Sequence, residues 1–285
     1  MSEWLNANKI KLTLLSLIVT NFLAWGFFFS LPNDQLHLKV YNVGQGDSIF
    51  LETAGGYKIL IDGGPDNKVL GYLGKDLPFY SKKIDLLILT HPEADHFTGL
   101  IEVVKRYQIK TLWVSNVSGK GRLFDEWVST LRDRKVEAKT VYQGDKMIFP
   151  DKTQVSVIWP KKDHKSSELN LNSIVVEVSF GNFNALLTGD AGEEAQPYTS
   201  SSSEVEVFKV PHHGAKTSLN ETYVASLSPQ ISIISVGAKN PYGHPSQDVI
   251  NFLSSIGSKV YRTDKNGTVE IVSNGKSWYT RLQHD

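Results

Sequence analysis

The chain has 285 residues, of which 40% are hydrophobic and 11% aromatic, enough to bury the core of one large domain. Thirty basic and thirty acidic residues cancel, so no global positive field favours nucleic acid, and such a partner needs a local site. Because the chain contains no cysteine, disulfides and thiolate metal sites are excluded. Any metal ligands must therefore be His, Asp or Glu.

A long uncharged stretch lies near the N-terminus. Residues 12–31, LTLLSLIVTNFLAWGFFFSL, have the length that a helix needs to cross a bilayer. Lys9 and Lys11 precede the stretch, which places the N-terminus in the cytoplasm by the positive-inside rule. No small-x-small cleavage site follows it, so an uncleaved anchor is favoured over a signal peptide. The sequence predicts a single-pass protein of the cell membrane, with residues 1–34 as cytoplasmic stub and anchor and residues 35–285 as one extracytoplasmic domain.

Short apolar runs separated by Gly, Asp and Pro follow the anchor. LHLKVYNV, IFLET and YKILIDGG predict three strands, with Gly55-Gly56 as a hairpin turn between the last two. IDLLILT at 84–90 predicts a strand buried on both faces. FTGLIEVVKRY then has apolar residues at helical spacing, and IKTLWVS returns to a strand. This succession predicts a β-α-β unit.

The rest of the chain continues the alternation. LFDEWVSTLRDR predicts a helix, and KVEAKTVY, MIFP and TQVSVIWP predict strands. SIVVEVSF, NALLTGD, EVFKVPHHG and ISIISVG predict further strands, helices are expected at 218–227 and 246–256, and KVYRTD and TVEIVS are the final strands. Strands grouped in each half with helices between them indicate a layered α/β sandwich of mixed sheets.

Histidine and carboxylate side chains follow the predicted strands at the points where the strands end. Because such ends meet at one edge of an open α/β sheet, we expect these side chains to form one composite site. The residues concerned are Asp62, His91, His96, Asp190, His212, His213 and His244.

The motif HPEADH is the densest group of candidate ligands. Pro92 cannot donate to a sheet ladder, so the chain must leave the strand there, and the next side chains are expected on a loop. His91 and Glu93 approach from one side while Asp95 and His96 diverge, so the motif can serve two neighbouring cations. Imidazole and carboxylate ligands suit Zn, Mn or Fe-type ions. The alternative is that Asp95 only caps a helix that begins after the motif.

These motifs resemble those of a known family. HPEADHFTG resembles the HxHxDH signature of the metallo-β-lactamase superfamily, and LLTGD resembles its bridging-aspartate strand. Over residues 36–272, VGQGDS, ILIDGG, LTHPEADHFTGL, NSIVVEVSF, LLTGD, KVPHHG, SVGAKNPYGHP and VYRTDKNGTV resemble, in this order, the metallo-β-lactamase-like domain of the ComEC/Rec2 DNA-internalisation proteins. The resemblance implies a four-layer αββα fold and one or two divalent ions, Zn or Mn, that support phosphoester hydrolysis.

The resemblance also implies roles for single residues. Asp190 bridges two metals, Asp95 and Asp190 orient the attacking hydroxide, and His212 or His244 protonates the leaving oxygen. Either histidine of the pair 212–213 can face the metals. The implied ligands are His91, Glu93, Asp95, His96, Asp190, His213 and His244. The residues implied in outer-shell or substrate contacts are Asp47, Asp62, Asn172, Ser173, Lys216, Asn240 and Tyr242, and Lys209 and Lys239 are further candidates for phosphate contacts.

Three positions depart from the family pattern, the first being Asn42 in YNVGQGD, where the family usually shows an aspartate. Glu93 stands where the superfamily often has its second histidine, and a carboxylate there favours Mn over Zn. The third-motif histidine has no counterpart, since ELNLN offers only Asn170 or Asn172.

Three functions remain open. The first is a membrane-anchored phosphodiesterase or nuclease acting on single-stranded DNA, with a separate DNA-translocation channel protein as partner. The second is a hydrolase of a small, cell-wall or lipid phosphoester. The third is a metal-poor, non-catalytic accessory domain of DNA uptake.

Overall fold

A computed structural model describes residues 8–29, 33–78, 80–164, 166–196 and 204–283. Helix α1 (Lys9–Phe29) precedes the globular part. Its residues 9–26 have the length and apolar composition of a membrane span, and none of that window is buried inside the protein. A signal sequence near the N-terminus has the same length and composition. Residues 30 and 31 of the predicted span lie outside the described residues.

Eight strands form the first sheet. They are β1 (Leu36–Val40), β2 (Ile49–Glu52), β3 (Lys58–Ile61), β5 (Leu86–Leu89), β7 (Leu112–Val114), β8 (Ala138–Thr140), β16 (Thr268–Ser273) and β17 (Trp278–Gln283). Their spatial order is β17-β16-β1-β2-β3-β5-β7-β8. Pairing is parallel from β3 to β8 and antiparallel on the other side. The predicted hairpin at Gly55-Gly56 is confirmed, because Glu52 pairs with Lys58 across it.

Seven strands form the second sheet. They are β9 (Lys146–Ile148), β10 (Gln154–Trp159), β11 (Val175–Phe180), β12 (Phe183–Leu187), β13 (Val207–Lys209), β14 (Ile231–Ile234) and β15 (Lys259–Arg262), in the spatial order β15-β14-β13-β12-β11-β10-β9. The strands from β12 to β15 are parallel, so their carboxyl ends lie at one edge. Two short strands, β4 (Lys83–Ile84) and β6 (Gln108–Ile109), pair separately.

Helices cover the outer faces of both sheets. They are α2 (Lys68–Asp76), α3 (Ala94–Arg106), α4 (Arg122–Asp133), α5 (Glu221–Leu227), α6 (Gln247–Ser255) and the short α7 (Thr263–Asn266). The first three pack on the first sheet through residues such as Leu100 and Trp127, and α5 and α6 pack on the second through Leu227 and Leu253. A third apolar cluster fills the space between the sheets. The predicted four-layer αββα sandwich is therefore confirmed.

Strand β5 shows why the layers form. All four of its residues are buried. Leu86 and Ile88 belong to the cluster between the sheets, whereas Leu87 and Leu89 belong to the cluster under the helices. Since successive side chains of a strand point to opposite faces, a strand covered on both faces must be apolar throughout, as IDLLILT predicts.

Three details differ from the sequence prediction. Helix α2 was not expected, because Gly71 and Gly74 interrupt a pattern in which only Val69 and Leu73 are buried. Strand β17 was not expected either, because it is a largely exposed edge strand without an apolar run. Helix α3 begins at Ala94, so Asp95 and His96 lie in its first turn and not on a loop. The residue that caps this helix is Glu93, whose side chain makes no capping hydrogen bond.

Candidate metal centre

The candidate ligands meet where the carboxyl ends of strands from both sheets come together. Asp62 directly follows β3, and His91 follows β5 after one intervening residue. Asp190 and His213 lie just beyond β12 and β13 of the other sheet. All four side chains are buried. The site therefore depends on contact between residues that are far apart in the chain.

The ligand atoms of four side chains lie close together, with both carboxylate oxygens of Asp190 facing the cluster. His213 Nε2 lies 3.2 Å from Asp95 Oδ2 and 3.6 Å from Asp190 Oδ2. His96 Nε2 lies 3.4 Å from Asp190 Oδ1 and 4.0 Å from Asp95 Oδ2. Ligand atoms at about 2.0–2.2 Å from one tetrahedral ion are roughly 3.3–3.6 Å apart. The spacing of this cluster therefore fits a single divalent ion.

His91 extends the cluster on its other side. The ligand atoms of His91, His96 and Asp190 lie within 4.8 Å of one another. His91 Nε2, His96 Nε2 and Asp190 Oδ1 are buried, and none of them has a hydrogen bond of acceptable geometry within the described parts of the chain. Leaving a buried polar atom unsatisfied costs about 1–3 kcal/mol. These three atoms fit a cation site beside the first, although His96 Nε2 has one lone pair and can bind only one of the two ions.

Outer partners fix the orientation of the three imidazole rings. Asp62 accepts hydrogen bonds from Thr90 Oγ1 at 2.6 Å and from His96 Nδ1 at 2.7 Å. Because the Thr90 hydroxyl gives its proton to Asp62, it can only accept from His91 Nδ1, at 3.1 Å. His213 Nδ1 donates to the carbonyl oxygen of Ser235 at 2.9 Å. Each Nδ1 thus carries a proton, and each Nε2 lone pair is left for a metal.

The turn after β13 decides which histidine of the pair faces the cluster. His212 and His213 both have left-handed backbones, with φ of 48° and 54°. Two consecutive non-glycine residues in this region are uncommon and mark a tightly determined turn. The turn buries His213 among the ligands and leaves His212 on the cavity wall.

Charge balance within the cluster shifts several pKa values. Burial opposes charge on His213, but Asp190, Asp47 and Asp95 raise its pKa to about 10. In His96, Asp190 and Asp62 likewise outweigh burial and raise the pKa well above its usual range. Burial acts to raise the pKa of Asp190, but the neighbouring imidazoles hold it well below its usual range.

His91 behaves differently from the other two imidazoles, since burial, reinforced by His96, lowers its pKa to about 3. The carboxylates favour protons on His96 and His213, so a cation competes with protons for their Nε2 atoms.

Lys209 lies behind the cluster and is fully buried. Its Nζ pairs with Asp47, donates to the carbonyl of Gly189 at 3.1 Å and lies 3.9 Å from Asp190 Oδ1. Burial acts to raise the pKa of Asp47, but Lys209 and His213 lower it to about 2. Lys209 is therefore an internal cation and does not face a substrate phosphate. The sequence signal for a buried lysine is the position of Lys209 within the short apolar run VFKV, and the sequence prediction did not use it.

The glycines of VGQGDS allow the loop after β1 to reach the site. Gly46 has a φ of 137°, and a Cβ there would lie 2.2 Å from the carbonyl oxygen of Asp95. The same carbonyl accepts a hydrogen bond from the backbone N–H of Asp47 at 3.2 Å. Only glycine permits this approach, which holds the loop against the start of α3.

A cavity of about 430 Å³ opens in front of the cluster, within the size range of small-ligand sites. We call the buried candidate ligands behind it, His91, His96, Asp190 and His213, the floor, and of these Asp190 and His213 line the cavity itself. We call the partly exposed residues at its mouth, Glu93, His212, Tyr242 and His244, the rim. The cavity is lined by Gln45, Pro65, Glu93, Ala94, Asp95, Asp190, His212, His213, Pro241, Tyr242 and His244.

Glu93 lies at the edge of the floor. Its carboxylate is 4.0 Å from His91 Nε2, and its side chain is 38% exposed. Burial and the nearby Asp95 raise the pKa of Glu93. From this position the Glu93 carboxylate can bind a second cation together with His91 and Asp190. Because Glu93 is partly exposed, its side chain is held less firmly than the buried ligands.

The two rim histidines face each other and lie outside the buried cluster. Their ring centroids are 5.8 Å apart. His212 Nε2 is 3.5 Å from Asn170 Nδ2. Burial and the charges of His212 and His213 lower the pKa of His244. Among the described residues, the groups whose ligand atoms converge include His213 and do not include His244.

The remaining predicted residues do not line the cavity. Lys216 is exposed and pairs with Asp248 at 3.4 Å. The buried Asn172 donates its amide to the carbonyls of Ser166 and Glu168 in its own loop. Ser173 and Asn240 have supporting positions: the Ser173 hydroxyl accepts from the Asp190 backbone N–H at 3.2 Å, and Asn240 hydrogen-bonds to the backbone of His244.

A second cavity, of about 420 Å³, lies beside β1 and is lined by His37, Lys39, Asp76 and Glu270 among others. Several of its charged groups are paired: His37 Nδ1 lies 2.8 Å from Glu270 Oε1, and Lys39 forms an ion pair with Asp76. Because these charged groups pair with one another, we assign the candidate metal site to the first cavity.

Comparison with known proteins defines the class. The profile of the metallo-beta-lactamase superfamily matches residues 41–238, and the chain belongs to this superfamily. The solved structure of the metallo-beta-lactamase fold protein YhfI from Bacillus subtilis matches with a TM-score of 0.54 and 11% identity, covering 84% of this chain and 100% of that one. The structural match supports the fold, and the family match together with the ligand cluster supports a metal-dependent hydrolase.

Curated relatives narrow the class to the ComEC/Rec2 type, which confirms the resemblance. The chain is 29% identical to ComE operon protein 3 of Bacillus subtilis, over 86% of this chain and 34% of the relative. It is 27% identical to recombination protein 2 of Haemophilus influenzae, over 68% and 23%, and 25% identical to competence protein ComA of Neisseria gonorrhoeae, over 85% and 33%. The chain thus spans about a third or less of the length of these relatives.

Proposed function

We propose that this chain is a membrane-anchored, metal-dependent phosphodiesterase that cuts single-stranded DNA outside the cytoplasm. The observation that carries the proposal is the convergence of Asp95, His96, Asp190 and His213 beside an open cavity. The competence relatives support DNA as the substrate and a separate DNA-translocation channel protein as the partner. Helix α1 would anchor the domain, and Lys9 and Lys11 favour an extracytoplasmic orientation.

The residues divide into one strong and one weaker metal position. Asp95, His96, Asp190 and His213 would hold the first ion, and His91 and Glu93 would hold a second together with Asp190. When bound, such ions supply Lewis acidity and lower the pKa of a coordinated water. The two carboxylates of the weaker position, Glu93 and Asp190, make Mn the better match than Zn.

The chain's own groups would position the reactants. Asp95 and Asp190 both line the cavity, so their carboxylates can accept hydrogen bonds from the attacking water and orient it toward phosphorus. His212 borders the cavity, and its Nε2 lies 3.5 Å from Asn170 Nδ2. From the cavity wall this ring can give a proton to the leaving oxygen, with His244 as the alternative donor.

A hydrolase of a smaller phosphoester, including a cell-wall or lipid one, is the second candidate. The observation that favours it is the absence of Lys and Arg from the described residues that line the cavity. A long polyanion usually binds through several cationic side chains.

The test uses the full chain in detergent with Mn²⁺, a labelled single-stranded oligonucleotide and a small aryl phosphodiester. We expect the wild type to cleave the oligonucleotide, Asp190→Ala to lose cleavage and bound metal together, and Asp133→Ala, an exposed carboxylate remote from the cavity, to retain both. Hydrolysis of the aryl ester without cleavage of DNA would select the second candidate. Absence of bound metal and of both activities in the wild type would overturn the proposal.

A further inference from the structure

We propose that Tyr242 is a stacking platform for an unpaired nucleobase of the substrate. This inference rests on the proposed function for the chemistry at the floor of the cavity. It adds the feature by which the site would select single-stranded nucleic acid over smaller phosphoesters and over duplex DNA.

The first observation is an exposed aromatic ring at the mouth of the site. Tyr242 lines the cavity although its side chain is 68% exposed. The other exposed large hydrophobic side chains among the described residues of the globular part, Tyr80, Val128, Ile148, Tyr279 and Leu282, are less exposed and do not line this cavity. Tyr242 therefore offers a flat apolar face where a substrate enters.

The second observation is that the ring is already in a stacked arrangement. The rings of Tyr242 and His244 are inclined by 20°, with centroids 5.8 Å apart. The imidazole lies beside the phenol in a nearly parallel orientation, and the 68% exposure of Tyr242 leaves ring surface available to a second flat group. Nucleobases all have such a face, so stacking on an aromatic side chain recognises a base of any identity.

The third observation is the rigidity of the loop that carries the ring. Asn240 Nδ2 donates to the carbonyls of Gly237 and His244, each at 2.8 Å, and Asn240 Oδ1 accepts from the His244 backbone N–H at 3.0 Å. These bonds close the loop on both sides of Tyr242. A ring held in place before binding loses little conformational entropy when a ligand stacks on it.

Part of the cavity wall is apolar. Pro65, Ala94 and Pro241 line the cavity together with Tyr242, while the candidate ligands Asp95, Asp190 and His213 line it at the metal cluster. A nucleotide has the same division, with a charged phosphodiester and an apolar base. The phosphate of such a ligand would reach the metal ligands while its base lies along the wall. A base inside a duplex is stacked and paired, so it cannot take this position unless it first leaves the helix.

The experiment measures affinity apart from cleavage. Fluorescence anisotropy of phosphorothioate oligonucleotides is recorded with the full chain in detergent and Mn²⁺. One oligonucleotide carries bases, and the other has the same backbone with consecutive abasic positions. Tyr242→Phe keeps the ring, Tyr242→Leu keeps apolar bulk without a ring, and Tyr279→Ala removes an exposed tyrosine that does not line the cavity.

We expect the wild type, Tyr242→Phe and Tyr279→Ala to prefer the base-carrying strand. In Tyr242→Leu, affinity for that strand should fall roughly tenfold or more, with no change for the abasic strand. An equal loss on both strands, or no loss on either, would overturn the inference. Cleavage of natural DNA by the wild type is scored separately, so a failure of the proposed catalysis is distinguished from a failure of stacking.

Discussion

The floor and the rim of the candidate site differ in burial and in how firmly their side chains are held. Each floor imidazole is buried and has its ring fixed by a partner behind it, as Asp62 fixes His96 and the Ser235 carbonyl fixes His213. The rim side chains Glu93 and Tyr242 are partly or largely exposed. A buried ligand cannot change without leaving charges unpaired, whereas an exposed side chain can change at little cost in stability. The floor thus determines the chemistry, and the rim is free to determine the substrate.

The largest effect is expected at Asp190, because its two carboxylate oxygens face His96 and His213 and it also belongs to the group with His91. Asp190→Ala should abolish bound metal and lower cleavage by more than the ~100-fold that loss of an outer-shell partner causes. Elemental analysis and a cleavage assay measure the two effects. If the variant keeps its metal content, Asp190 is not the shared ligand of the floor.

The next effect concerns stability behind the floor. Lys209→Met leaves the buried Asp47 carboxylate without its cation, and removing one partner of a buried pair costs about 3–5 kcal/mol. Chemical denaturation should show this loss, and adding Asp47→Asn should recover part of it. Lys216→Met breaks the exposed pair with Asp248 and should change the free energy of unfolding by about 0–1 kcal/mol. Equal losses of unfolding free energy in Lys209→Met and Lys216→Met would contradict the expected difference between a buried and an exposed ion pair.

A smaller effect is expected at Asp62, which accepts a hydrogen bond from His96 Nδ1 and does not contact the Nε2 atom that faces the other ligands. Asp62→Asn weakens the hold on the Nδ1 proton of His96 and should lower metal affinity about 10–100-fold. Isothermal titration with Mn²⁺ measures the change. Asp66→Asn, at an exposed position outside the site, serves as the matched control. Unchanged affinity in Asp62→Asn would show that the ring of His96 is held by packing alone.

The smallest effect is expected at Glu93 on the rim. Glu93→Gln should reduce occupancy of the second ion and leave the first in place, with less than about a tenfold loss of cleavage at saturating Mn²⁺. Glu93→His should shift the preference toward Zn²⁺. Metal stoichiometry and activity with each ion measure these changes. Loss of both ions in Glu93→Gln would mean that the residue belongs to the floor.

The sequence predicted much of the fold because its strands carry strong local signals. IDLLILT is apolar at each position that the two adjacent layers cover, and the Gly55-Gly56 pair marks a turn that the strand register requires. Helix α2 and strand β17 were missed because their residues are mostly exposed or interrupted by glycine. Weak local patterns become ordered elements only through packing against the rest of the chain.

The sequence by itself determined the ligand types and the strand ends that carry them, because strand periodicity and turn residues are local properties. Only the tertiary structure decided that His213 faces inward, that Lys209 is an internal cation and that Tyr242 lies on the cavity wall. The direction of each of these side chains depends on a turn and on partners from distant segments, such as Ser235 for His213 and Asp47 for Lys209. Those partners meet only when the two sheets have packed, so no local pattern in the sequence records them.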